Sequence, residues 1–315
     1  MKPLHIETPL FESPTLTRDA GRTVWLKLEA MQPPGSFKIR GIGLACQEYA
    51  RRGARRFISS SGGNAGIAVA HAGRRLSVPV IVVVPETTTD RAKDLIRREG
   101  ADVIVHGLSW QEANALATAM VEESDAFLHP FDDPIIWRGH ASLVDEVARS
   151  GVKPDVIVLS VGGGGLLCGV VEGLHRHAWN DVPVIAVETE GADSLAQSIR
   201  AGHRVELPAI TSIATSLAAK RVCEQAFACS KTHPVRSIVV SDRAAVSACQ
   251  RFLADHRVVV EPACGASLAV VYDDAPELEG FESVLVVVCG GVTATVEQLR
   301  AWSGRYAEPF GASAG

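Results

Sequence analysis

With 315 residues, the chain is long enough for two compact domains at roughly 100 to 200 residues each, which excludes a short peptide or a single-motif module. Hydrophobic residues make up 47% and charged residues 21%, so the low-hydrophobicity, high-charge signature of disorder is absent and the chain is expected to fold throughout. Its 31 basic and 36 acidic residues leave a net charge of −5 with no sustained basic run, and nucleic acid therefore has no electrostatic footprint here.

The amino terminus carries Lys2 and Pro3 without the apolar segment and small-residue cleavage site of a signal peptide, so a cytoplasmic protein is expected. Val- and Ile-rich runs follow at 56–60, 78–85, 102–106, 155–161, 182–188, 237–241 and 283–289. They stop far short of the roughly 20 apolar residues that a membrane span needs, and their two-sided hydrophobicity is that of strands buried in a helix-covered parallel sheet. Amphipathic helices are expected between them at 64–76, 90–99, 110–123, 135–149, 166–177 and 243–256. The alternation predicts an α/β architecture with no short repeat and no low-complexity linker. Seven cysteines, an odd number with no C-x-x-C pair, argue against a disulfide framework and a structural zinc site.

Ligands of open α/β sheets bind beyond the carboxyl ends of strands, often against the next helix's amino end. Three junctions have that character: 59–66 (SSSGGNAG), 160–167 (SVGGGGLL) and 288–291 (VCGG). Four consecutive glycines, Gly162, Gly163, Gly164 and Gly165, leave backbone N–H groups open to an anion at the start of a helix. The spacing is neither the dinucleotide fingerprint, which needs glycine where Leu167 or Cys168 stands, nor a P-loop, since no G-K-[ST] follows. A tight packing turn would explain one or two of these glycines; four favour a phosphate cradle.

In the segment 33–41 (PPGSFKIRG), Ser36 reads as a helix cap that places Lys38 in the first turn, where the helix dipole disfavours a positive charge. A neutral amine is what Schiff-base chemistry needs. Beside a phosphate cradle, such a lysine points to a phosphorylated aldehyde cofactor, pyridoxal 5'-phosphate.

Together Ser-Phe-Lys-Ile-Arg-Gly at 36–41, Ser-Gly-Gly-Asn-Ala-Gly at 61–66, the tetraglycine loop and Cys-Gly-Gly at 289–291 resemble the serine/threonine dehydratase family of pyridoxal-phosphate enzymes. The four motifs stand in family order over nearly the whole chain, and the likeness is greatest to the L-serine dehydratases. Ile39 stands where cysteine and threonine synthases usually carry Asp. The resemblance implies a tryptophan synthase β-like fold (fold type II) of two three-layer domains with mostly parallel twisted sheets. A small mobile domain over 34–135 would be inserted into a larger one formed by 1–33 and 136–315.

By the same resemblance, Lys38 carries the covalent link to the cofactor and then serves as base at the substrate Cα. Phe37 borders the ring, Gly162 to Gly165 and Leu166 hold the phosphate, and Asn64 bonds the phenolic oxygen. Cys289 stands at the pyridine nitrogen, where a thiol makes a weaker electron sink than an aspartate and suits β-elimination. Ser61, Gly62, Asn64, Ala65 and Phe131 line the substrate. Glu188 with carbonyls near Gly162, Ala192, Leu217 and Ala219 would hold a monovalent cation such as potassium. Val292-Thr293 replaces the common Ser-Asn beyond the Cys289 motif. Asp132, Asp133 and His140 read as surface groups, and Glu261-Pro262 as an ordinary helix start outside the site.

The expected activity is elimination from L-serine to pyruvate and ammonia, and from L-threonine to 2-oxobutanoate, in a homodimer acting in amino-acid catabolism. An amino-acid racemase on the same fold would need an acid/base opposite Lys38, where the resembling racemases carry a serine and this chain has Gly62. A catalytically silent sensor is the other alternative, against which the retained Lys38 argues. The chain's end at Gly315 leaves no room for an added regulatory domain, so feedback inhibition by isoleucine is not expected.

Overall fold

The computed structural model describes residues 2–306. In chain order its elements are β1 (Leu10–Glu12), α1 (Pro14–Ala20), β2 (Thr23–Lys27), α2 (Lys38–Arg51), β3 (Arg56–Ser59), α3 (Asn64–Leu76), β4 (Val80–Val84), α4 (Asp90–Arg98), β5 (Asp102–Val105), α5 (Trp110–Ala119) and β6 (Asp125–Phe127). There follow α6 (Pro134–Arg149), β7 (Val156–Ser160), α7 (Gly165–Arg176), β8 (Val184–Thr189), α8 (Ser194–Ala201), α9 (Glu224–Thr232), β9 (Val235–Val240), α10 (Asp242–His256), α11 (Pro262–Tyr272), β10 (Ser283–Val287) and α12 (Val296–Tyr306).

The strands form a six-stranded sheet ordered β1-β2-β10-β7-β8-β9 and a four-stranded sheet ordered β5-β4-β3-β6. The small sheet is parallel throughout, and in the large one only β1 runs antiparallel to its neighbour. Parallel strands need helical crossovers, and these cover both faces. On one side of the small sheet, Ile39, Ile42, Ile67, Val82 and Ile136 share a core; on the other, Ile58 and Val83 meet Ala113 and Ala117 of α5. The larger core joins β7, β8 and β10 to α7, α10 and α11.

The chain quits the large sheet after β2, builds the small sheet, and returns at β7. Lys38 opens the first helix of that excursion. The expected α/β architecture and each of the seven anticipated strands are present, within a few residues. Short β1, β2 and β6 carry too few residues to announce themselves by periodicity. Helix α11 was legible only by its start, because all of its residues are buried and it has no polar face to set a period. The seven cysteines are free and buried, and no helix among the described residues is long and apolar enough to cross a membrane.

Candidate active site

A short strap of chain docks the start of α2 against the loop after β10. Gly35 lies in the left-handed region at φ 79°, its carbonyl accepts from Gly291 N at 3.2 Å, and Phe37 N donates to Cys289 O at 3.0 Å. Ser36 pairs with Gly290 in an antiparallel bridge. That extended pairing overturns the expected cap: Phe37 occupies the N-cap position without a side-chain bond, and the buried Ser36 Oγ has no partner. Lys38 is nonetheless the first helical residue. Its Nζ donates to Pro130 O at 2.8 Å and lies 5.1 Å from the Phe37 ring centre.

Burial lowers the Lys38 amine to about 8, against the opposing pull of Cys289, Glu261 and Cys223. The lowered proton affinity anticipated from the helix dipole is therefore present, with desolvation as its main cause. The Phe37 ring also packs, tilted, on His140, with centres 4.9 Å apart. His140 is wholly buried rather than on a helix surface, and desolvation holds it neutral, well below the ordinary histidine value.

The tetraglycine loop joins β7 to α7. Gly164, at φ 95°, is the N-cap and Gly165 the first helical residue, so the amides of the first turn, with those of Leu166, lack partners within the helix. Space explains the glycines as well as anion access does. A Cβ on Gly163 would enter the Phe131 ring, one on Gly164 would meet Ala226, one on Gly165 would lie 2.7 Å from Phe131 O, and one on Gly162 would lie 3.0 Å from Leu217 Cα. Phe131 thus backs the loop, fixed by its own carbonyl accepting from Trp137 Nε1 at 2.7 Å.

Helix α3 starts at Asn64, buried beside Gly290, where a Cβ would lie 3.5 Å from Asn64 Nδ2. The amide donates to Glu261 Oε1 at 2.7 Å and, at a long 3.4 Å, to Ser216 Oγ, while its buried Oδ1 has no partner. Ala65 is buried, and Ser61 Oγ accepts from Gly63 N at 3.4 Å. A Cβ on Gly62 would lie 2.6 Å from Thr88 Oγ1. Glu261, set aside on sequence grounds, belongs to this cluster, and its second oxygen accepts from Thr293 Oγ1 at 2.5 Å. A carboxylate at a helix start followed by proline gives no hint of such a partner 197 positions away.

Cys289 ends the strand run beside Lys38. A hydrogen bond with Cys264 and burial push its thiol well above the usual range, so it stands as a neutral group. Glu188, fully buried, accepts from Leu195 N at 2.8 Å and Ala196 N at 2.7 Å at the start of α8. Burial outweighs those bonds and lifts its carboxyl to about 8. Ala192 N donates to Thr189 O, and Ala219 N to Leu217 O. Among the described residues no group of three or more His, Cys, Asp or Glu is arranged for a metal ion.

Two residues past Lys38, Arg40 anchors the helix from inside. Its guanidinium, fully buried, meets both oxygens of Glu29 at 2.7 and 2.8 Å and both of Glu146 at 2.6 Å. Lys27 Nζ completes the set on Glu146 at 2.5 Å. Bidentate pairing of this kind fixes orientation as well as charge.

The amine, the amide-rich helix start and the neutral thiol define a class. The family model described as pyridoxal-phosphate dependent enzyme matches residues 1–290, and the chain belongs to that family; its fold is the tryptophan synthase β-like one, fold type II. More particularly, it is 48% identical over 311 residues to the L-serine dehydratase/L-threonine deaminase of Homo sapiens, with 95% of each chain covered. A fungal L-serine ammonia-lyase from Rhizomucor miehei has a similar structure, with TM-score 0.92 and 36% identity over 97% of this chain and 100% of that one. Maize serine racemase is similar at TM-score 0.85 and 25% identity, covering 96% and 93%.

Proposed function

We propose that the protein is an L-serine dehydratase that also takes L-threonine, releasing ammonia with pyruvate or 2-oxobutanoate. The single observation that carries this reading is the desolvated Lys38 amine beside a neutral Cys289 thiol, in a chain 48% identical to a relative named as an L-serine dehydratase/L-threonine deaminase. The residues fit pyridoxal 5'-phosphate: a lysine with a depressed pKa, and unpaired first-turn amides at α7 where a glycine-lined helix start would receive a phosphate. When bound, that cofactor supplies an electron sink for negative charge at the substrate Cα.

Lys38 would be its covalent anchor, Gly162 to Gly165 and Leu166 its phosphate seat, Phe37 its ring wall, Asn64 the donor to its phenolic oxygen and Cys289 the partner of its ring nitrogen. The start of α3, with Ser61, Asn64 and Ala65, would bind the substrate carboxylate, since free N–H groups and the helix dipole favour an anion there. Lys38 Nζ would hold the Cα proton, an amine held near 8 being well matched to a proton transfer at neutral pH. Phe131, behind the glycine loop, closes the pocket's far wall. A thiol held neutral at Cys289 would leave the ring nitrogen without a full proton donor, so the sink the cofactor would supply is a limited one, suited to elimination.

Racemization is disfavoured at Gly62, which has no hydroxyl to offer and whose side-chain space is taken by Thr88. Supporting roles complete the proposal: a monovalent cation such as potassium at Glu188 with carbonyls near Gly162, Ala192, Leu217 and Ala219, a mobile 34–135 unit, a cytoplasmic homodimer, and a place in amino-acid catabolism. Adding L-serine to the holoenzyme and assaying pyruvate tests the main reading. Pyruvate with ammonia in equal amounts is expected; D-serine as the main product, or no turnover, overturns it.

A further inference from the structure

The backbone of Glu261 is held from several sides. Its N–H donates to Gly290 O at 3.3 Å, and its carbonyl accepts from Cys264 N at 2.8 Å and Gly265 N at 2.9 Å. The side chain, 4% exposed, makes no capping bond to α11 although it stands at the N-cap. Its two oxygens are divided instead between two donors: Asn64 Nδ2 at 2.7 Å and Thr293 Oγ1 at 2.5 Å.

We propose that Glu261 is a positioning residue that sets the direction of the Asn64 amide, with the Thr293 hydroxyl clamping its other oxygen. The inference rests on the reading of Asn64 as a cofactor contact. An ionised carboxylate only accepts, so the NH2 end of Asn64 must face it; the flipped amide would set Oδ1 against a carboxylate oxygen. The second N–H of the same nitrogen is thereby aimed away from Glu261, where it meets only Ser216 Oγ at a long 3.4 Å, a weak contact that a stronger acceptor can displace; a charge-assisted bond on the first N–H polarises the amide and strengthens the second as a donor. The Val292-Thr293 replacement acquires a purpose here, because Thr293 supplies the hydroxyl that keeps the carboxylate from swinging off Asn64.

The test is a mutant cycle on the reconstituted holoenzyme, reading the dissociation constant for pyridoxal phosphate and the position of the bound cofactor's absorption band. Thermal melting is followed in parallel as a check on folding. Glu261→Gln is expected to weaken cofactor binding on the order of tenfold and shift the band, as is Asn64→Ala. The Asn64→Ala/Glu261→Gln double variant should bind no more weakly than Asn64→Ala, because the carboxylate acts only through the amide. Thr293→Val, which keeps the volume, should weaken binding several-fold in the wild-type background and have no effect beside Asn64→Ala, and Thr293→Ser should restore it. Additive losses in the double variants would overturn the positioning role alone, and the Thr293→Val arm decides the question if Glu261→Gln does not fold. An unchanged affinity and band in Asn64→Ala would overturn the reading of Asn64 and the inference with it.

Discussion

In the role proposed for it, Lys38 must be neutral often enough to attack a carbonyl, and burial, which lowers the amine to about 8, outweighs the opposing influences, Glu261 among them. The chemistry of the residue follows from the result. Covalent capture of pyridoxal phosphate by the cofactor-free protein should accelerate as pH rises through about 8, because the neutral fraction grows in that direction. A stopped-flow series on the bound cofactor's visible band reads it, and Lys38→Ala should abolish both the band and turnover; a rate flat from pH 7 to 9 contradicts the depressed pKa. At Gly62 a serine would bring the hydroxyl that a racemase needs, and the structure shows what that side chain would meet. A Cβ there lies 2.6 Å from Thr88 Oγ1 and 2.7 Å from Thr88 Cγ2, closer than real contacts allow. Gly62→Ser alone is therefore expected to lose most turnover, whereas Gly62→Ser/Thr88→Ala should recover it and show D-serine by chiral chromatography. If the single variant is fully active, Thr88 yields and the crowding argument fails.

At the scale of elements, α2 is the component on which the site turns, since it carries Lys38 at its first residue and Arg40 at its third. Arg40 ties α2 to α6 through Glu146 and to the segment after β2 through Glu29. Removing one member of a buried ion set leaves uncompensated charge, a loss of about 3 to 5 kcal/mol. Arg40→Met should lower the denaturant midpoint accordingly, and a loss below about 1 kcal/mol would show that solvent reaches the cluster. Strands β3, β4, β5, β7, β8 and β10 were legible because a parallel sheet buried on both faces leaves unbroken Val and Ile runs. The glycine loop was legible as a strand-to-helix junction because four glycines in a row stand out in any sequence, although here packing needs them too. What stayed hidden has one physical origin. Ser36, Glu261, Thr88 and Thr293 act through partners brought together by the fold, and neither propensity nor spacing carries contacts between distant segments.

For the molecule as a whole, several histidines are buried in the neutral form. Burial lowers His5 from the ordinary 6.5 to about 4, with Arg40 adding to the effect against Glu146 and Glu29, and it also lowers His129 and His140. The unfolded chain therefore binds more protons than the folded one between pH 6.5 and about 4, and stability falls as pH drops through that window. Urea midpoints at pH 7, 5.5 and 4.5 should decline in order, less steeply in His5→Asn; midpoints independent of pH would refute the buried neutral state. The strand order has a consequence for how the protein comes into being. Strand β10 is the last of the described strands to leave the ribosome, yet it lies between β2 and β7, pairing Val286 with Leu26 on one side and with Val158 on the other. The small sheet is complete by residue 127 and can fold during synthesis, while β2 must wait some 260 positions for its inner neighbour. Until that wedge is driven home, the strap that seats Lys38 has no Cys289 or Gly290 to dock on. A nascent chain can thus hold an ordered half-protein but cannot capture its cofactor, so competence arrives in a single late event rather than by degrees.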